Sequence, residues 1–263
     1  MARSRKLAGR LRKILQPIRE AAGRFVILPP DQHSAMGKAV SFLVSERIPG
    51  DYLEFGVFKG NSLAAAYRLF AETYEKEIAH ARKHRPDDAN RLEKHWADMR
   101  FVGFDSFAGL PELRGLDALT DDFREGQFAC SEDDFWRNLE TKGVDLSKVV
   151  CVPGWFEETL VSATRQKLGL QKAALIHIDS DLYRSAKLAL DFVTPLLQDG
   201  TIILFDDWFN YRGHPNLGER RALREWAEAH PEWLLTEYQK EGVRKNSFIV
   251  NSASIGSEHS DVR

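Results

Sequence analysis

Only two cysteines, Cys130 and Cys151, occur in the 263 residues, in separate segments and without CxxC spacing. That scarcity argues against a disulfide framework and fits ordinary buried thiols in a reducing, cytoplasmic compartment. Long hydrophobic runs are also missing. None approaches the roughly 20 residues needed to span a bilayer, which excludes stable membrane insertion. An excess of one charge is lacking too: the net charge is -2 and the pI about 6.5. Nothing global therefore favours nucleic acid or a membrane surface. No internal repeat or low-complexity block appears. What remains is a chain 43% hydrophobic and 29% charged, which fits one globular α/β domain of roughly 250 residues.

Residues 1–35 form a basic arm without the uninterrupted apolar core of a signal peptide. Leu7, Leu11, Ile14, Leu15 and Ile18 recur at helical spacing with Arg and Lys between them. This reads as an amphipathic helix packing on the body or on a partner subunit of a homo-oligomer, ahead of a membrane-surface helix or a nucleic-acid arm. The globular domain is expected over 36–251, with a polar tail at 252–263.

Within that domain, strand-type runs at 51–58, 100–105, 148–152, 173–179 and 201–205 alternate with helical patterns. The helical stretches fall at 31–48, 63–70, 131–141, 156–168, 183–197 and 216–229. Runs at 233–238 and 246–250 resemble a closing antiparallel pair. The alternation predicts a doubly wound, Rossmann-like, mainly parallel sheet. Asn61 or Ser62 is expected to cap the helix after the first strand, and Ser131 to cap the helix at 131–141 with Asp134 at the capping-box position. The charge-dense stretch 71–99, broken at Pro86, reads as a solvated helical excursion.

Two segments, IHIDSDLY (176–183) and ILFDDW (203–208), turn from apolar strand into aspartates. Ligands in parallel α/β sheets gather beyond the carboxyl ends of the strands. Asp179, Asp181, Asp206 and Asp207 would thus crowd one small volume, where they repel each other unless a cation or protons neutralise them. A hard metal ion is the natural candidate. Each pair alone would read as a cap, with Asp181 stabilising the helix from Tyr183; their coincidence on successive strands favours the metal. Residues i and i+2 share a face while a strand stays extended, so Asp179 and Asp181 can both reach the site. His177, mid-strand, reads as a core histidine, and His214 as an ordinary loop histidine. Trp155, Phe156, Trp208, Phe209 and Tyr211 are candidates for pocket walls, or for core.

The turn EFGVFKGNS (54–62) carries Gly56-x-x-x-Gly60 and omits the middle glycine of G-x-G-x-x-G. It suits a cofactor without phosphates better than a dinucleotide. Asp105 ends the second strand, where an acid can accept both ribose hydroxyls of a nucleoside.

In order, YLEFGVFKGNS, FDSFAGLPE, VPGWFEETL, IHIDSDLYRSA and LFDDW resemble the macrocin O-methyltransferase type of class I S-adenosylmethionine-dependent enzymes, over roughly 51–250. The resemblance implies a seven-stranded sheet with the last strand antiparallel. It implies S-adenosylmethionine contacts from Glu54, Gly56, Gly60, Ser62, Asp105, Ser106, Gly154, Trp155 and Phe156. It further implies Mg2+ at Asp179, Asp206 and Asp207, Asp181 as general base, and an acceptor hydroxyl on a sugar or glycosylated natural product. A catechol or other small diol is the alternative acceptor, and an NAD-type nucleotide-sugar enzyme the alternative class. The chain departs from the family pattern in lacking a proline after Thr159-Leu160, in Trp208 for a tyrosine, and in a longer 71–99 stretch.

Overall fold

The computed structural model describes residues 32–119 and 123–254. The basic arm lies outside the described residues except at its last few positions, as does the tail from 255. Strands β1 (Asp51–Phe55), β2 (Phe101–Asp105), β3 (Val149–Pro153), β4 (Ala173–Ile178), β5 (Thr201–Phe205), β6 (Trp233–Glu241) and β7 (Lys245–Ser252) form one sheet, in the order β3-β2-β1-β4-β5-β7-β6. β1 to β5 are parallel, and β7 runs antiparallel to both β5 and β6. Inserting β7 between β5 and β6 departs from the 3-2-1-4-5-6 order of dinucleotide-binding sheets. It is the sheet expected from the family resemblance.

Helices cover both faces, so the central strands are apolar on both sides. One face packs Tyr52, Phe101, Leu175 and Ile202 against α1 (Ala35–Ser45), α2 (Asn61–His84), α3 (Pro86–Asp98) and α4 (Glu132–Thr141). The other packs Leu53, Phe55, Ile176, Ile178 and Phe205 against α7 (Tyr183–Val193) and α8 (Gly218–Ala229). Two short helices, α5 (Phe156–Thr159) and α6 (Ser162–Leu168), pack Phe156 and Leu168 on this second face as well.

Several elements correct the sequence reading. The 71–99 stretch is not a solvated excursion: α2 continues unbroken to His84, and Tyr74, Ile78, Ala81, Ala89 and Leu92 are buried in the core. Its charges occupy only the outer face. Pro86 starts α3 at a position where its missing N–H costs nothing. Neither Asn61 nor Ser62 caps α2; the cap is Gly60, left-handed at φ 74°, with no side-chain bond. Ser131 does cap α4, its Oγ accepting from Asp134 N at 3.0 Å. The helix expected over 156–168 is divided into α5 and α6.

The strand order reverses between β1 and β4, which opens a crevice at their carboxyl ends. Gly56 leaves β1 there with φ 92°, and a Cβ on it would lie 1.9 Å from the Asp179 carbonyl oxygen. Only glycine permits this approach of the two strand ends.

Candidate active site

A cavity of about 590 Å³ opens over that crevice. Asp179, Asp181, Asp206 and Asp207 line it together with Gly56, Asp105, Ser106, Trp155 and Phe156. Phe58, Phe123, Phe128 and Arg244 are also part of the wall.

In the acidic cluster, ligand oxygens of Asp179, Asp206 and Asp207 all lie within 4.8 Å of one another. Asp179 follows β4 directly, its N–H donating to Phe55 O at 2.9 Å. Burial, and then the Asp206 carboxylate, push its carboxyl well above the usual range. Asp206 goes the other way. Burial opposes its charge, but His177 Nε2 at 3.2 Å and Lys245 Nζ at 2.5 Å, both on Oδ1, hold it ionised. Asp207 accepts from Asn210 Nδ2 at 2.7 Å, and its N–H donates to Glu219 Oε2 at 3.0 Å.

Asp181 reaches the cavity by a different route from the one expected. β4 ends at Ile178 and Asp181 is left-handed, φ 59°, so the extended i, i+2 argument does not apply. The turn brings its carboxyl into hydrogen-bonding reach of Asp207; burial and that neighbour raise its proton affinity. Nor does Asp181 cap α7. Asp117, from the loop after β2, accepts from the N–H groups of Tyr183 and Arg184 at 2.8 and 3.3 Å.

The donor set of Asp179, Asp206 and Asp207 is all hard oxygen, which fits a hydrated hard divalent cation such as Mg2+. Behind it, buried Glu219 accepts from the Asp207 N–H, and its Oε1 has no hydrogen-bond partner among the described residues.

Beside the glycine turn, Asp105 Oδ2 accepts from Val57 and Phe58 N–H at 2.8 and 2.7 Å, and Oδ1 from Phe107 N–H at 2.7 Å. A carboxylate offers about four acceptor positions, so Asp105 ties the glycine turn to β2 while still facing the cavity. Glu54, Gly60, Ser62 and Gly154 lie behind the cavity wall rather than on it. Glu54 is fully buried and accepts from Ser62 Oγ and from Tyr52 Oη, the latter at 2.7 Å. Gly60 abuts Phe135 and Leu139, and Gly154 abuts Thr159. These four shape the turns that Gly56, Ser106 and Trp155 present.

The sequence matches the Macrocin-O-methyltransferase (TylF) family over residues 90–230, more than half of its length. The chain belongs to the macrocin-O-methyltransferase family. It is 32% identical over 176 residues to the 8-demethyl-8-(2,3-dimethoxy-alpha-L-rhamnosyl)-tetracenomycin-C 4'-O-methyltransferase of Streptomyces olivaceus, covering 64% of this chain and 57% of that protein. It is 25% identical over 195 residues to the demethyldecarbamoylnovobiocin O-methyltransferase of Streptomyces niveus, covering 68% and 64%. The matched region thus spans less than two thirds of either relative. Among solved structures, the O-methyltransferase NovP superposes with a TM-score of 0.60 at 20% identity, over 81% of this chain and 77% of that one. The calicheamicin methyltransferase CalS11 does so with 0.60 at 22%, over 95% and 93%. At such identities the two structures speak to the fold alone.

For this member of the macrocin-O-methyltransferase family, several site residues escaped the sequence reading. His177, taken as core, is buried yet bridges toward Glu54 and Asp206. Held between them, its imidazole is lifted to about 10: burial lowers it, and the two carboxylates outweigh that. β-sheet register, which sets Glu54 opposite His177, carried that signal. Glu219, Asp117, Lys245 and Arg244 come from distant segments and left no local trace. Of the five candidate wall aromatics, Trp155 and Phe156 line the cavity. Trp208 packs on Phe205 and Phe248 with ring centroids 5.1 and 4.9 Å away, and Tyr211 joins Leu110, Phe123 and Leu182 in a separate cluster.

Proposed function

We propose that the domain over 36–251 is an S-adenosylmethionine-dependent, Mg2+-assisted O-methyltransferase acting on a hydroxyl of a sugar or glycosylated small molecule. One observation carries the reading: the glycine turn at Gly56 and a four-aspartate cluster line a single cavity. The two Streptomyces relatives, named for O-methylation of a rhamnosyl-tetracenomycin and of demethyldecarbamoylnovobiocin, support the acceptor class and a place in natural-product biosynthesis.

In this reading Asp179, Asp206 and Asp207 hold Mg2+. Bound there, the ion would lower the pKa of an acceptor hydroxyl oxygen. Asp181 would take the hydroxyl proton, its carboxyl lining the cavity beside Asp207. The turn at Gly56, with Asp105, Ser106, Trp155 and Phe156, would seat the cofactor, whose methyl group would be the one transferred. The methyl carbon bonds to the acceptor oxygen, the sulfur–methyl bond breaks, and its electron pair leaves with the neutral thioether. Fixing donor and acceptor in line supplies much of the acceleration. The acidic wall also favours the sulfonium charge of the donor.

The test is product mass spectrometry with deuteromethyl-labelled S-adenosylmethionine and a panel of glycosides, catechols and small diols. A labelled methyl ether on a sugar hydroxyl is expected. Labelling confined to catechols would replace the acceptor class, and no labelling with any hydroxylated compound would sink the reading.

A further inference from the structure

We infer that His177 is a positioning residue that serves both halves of the site, bracing the floor of the glycine turn through one ring nitrogen and a metal-site aspartate through the other. This rests on the functional reading above. His177 and Glu54 are register partners on adjacent parallel strands, and both are essentially inaccessible to solvent. Nδ1 lies 3.3 Å from Tyr52 Oη and 3.7 Å from Glu54 Oε1. Tyr52 and Ser62 both donate to Glu54, and Ser62 sits in the first turn of α2, so this side of the ring underpins the segment 56–62. Nε2 lies 3.2 Å from Asp206 Oδ1. Lys245 engages the same Oδ1, leaving Oδ2 of Asp206 as the oxygen without these partners. His177 does not line the cavity, so it touches neither substrate and acts only through the residues it holds.

The ring's two nitrogens can be separated chemically. An asparagine amide reaches about as far as Nδ1, and a glutamine amide about as far as Nε2. His177→Asn therefore keeps a polar group beside Tyr52 and Glu54 but abandons Asp206. His177→Gln does the opposite. Isothermal titration of the full chain with Mg2+ alone and with S-adenosylhomocysteine alone reads the two halves without relying on turnover. Loss of an outer partner of a metal ligand weakens metal affinity by about 10-fold or more. His177→Asn should show that loss for Mg2+ and bind S-adenosylhomocysteine within about twofold of wild type, a change smaller than the loss of one hydrogen bond. His177→Gln should retain Mg2+ affinity and lose about fivefold for S-adenosylhomocysteine, the equivalent of one hydrogen bond.

Tyr52→Phe removes only a buried hydroxyl and should behave like His177→Gln, which keeps the inference testable if a histidine variant fails to fold. If the variants weaken both ligands equally, or neither, His177 is packing and the inference fails. If the wild-type chain binds neither ligand, the functional reading fails and this inference with it.

Discussion

Asp117 accepts the backbone N–H of Tyr183 at 2.8 Å, so α7 is capped from a loop 66 residues upstream. Leu182, the residue in the N-cap position, has no side chain able to do this. Asp181 is thereby released from capping and turns toward Asp207. Asp117→Ala should cost about 1–2 kcal/mol of stability, the usual loss for a helix cap, read by urea denaturation. It should also lower kcat, because Asp181 loses its frame. A pH trend accompanies it. Burial raises the Asp117 carboxyl above its ordinary value of 3.8, so the folded chain favours its protonated form. That contribution is full below pH 3.8 and is lost as pH rises through the raised value. The stability of wild type minus that of Asp117→Asn should therefore shrink from pH 4 upward; a gap that widens would contradict the assignment.

Metal removal gives the second prediction. Ligand binding to the folded state alone stabilises by about 2.7 kcal/mol at 100 times its Kd, so Mg2+ should raise the melting temperature of wild type, and EDTA should abolish both that rise and methylation. Asp206→Asn and Asp179→Asn should remove the rise. Either variant melting higher with Mg2+, as wild type does, would dismiss these residues as ligands.

Both predictions bear on what the chain reveals before it folds. Strand runs, the glycine turn and the acidic strand ends are local patterns, and the sheet and the four aspartates followed from them. Register is not local. Nothing near Ile176 and Ile178 says that His177 faces Glu54 on one strand and Asp206 beyond the next. Nor does anything near Gly115 say that Asp117 will cap α7. The 71–99 stretch misleads for a related reason: high average charge hides a buried stripe of Tyr74, Ile78 and Leu92. Trp155 and Phe156 were legible as wall aromatics; Phe58 and Phe128 were not, because left-handed turns, φ 45° and 65°, set their direction.

Asp181→Asn tests the base. General-base catalysis contributes about 10²–10⁴-fold, so kcat should fall by at least 100-fold. The Kd for S-adenosylhomocysteine should stay within about twofold, since Asp181 is assigned to the acceptor hydroxyl and not to the cofactor; one hydrogen bond would be worth more than that. Unchanged turnover would remove Asp181 from the mechanism.

Gly56→Ala tests whether the crevice itself is the cofactor seat. Alanine there must hold φ near 92° and must also clear the Asp179 carbonyl oxygen, which sits 1.9 Å from the new carbon. Backbone, not a flexible side chain, is the obstacle, so the ends of β1 and β4 have to separate. Such overpacking costs about 1–3 kcal/mol, with a further 1 kcal/mol or so for the positive φ. The expected result is a folded but destabilised chain. Its affinities for S-adenosylhomocysteine and for Mg2+ should fall together, because the strand ends that part carry Gly56 on one side and Asp179 on the other. Loss of stability with both affinities intact would mean that the glycine serves only the sheet.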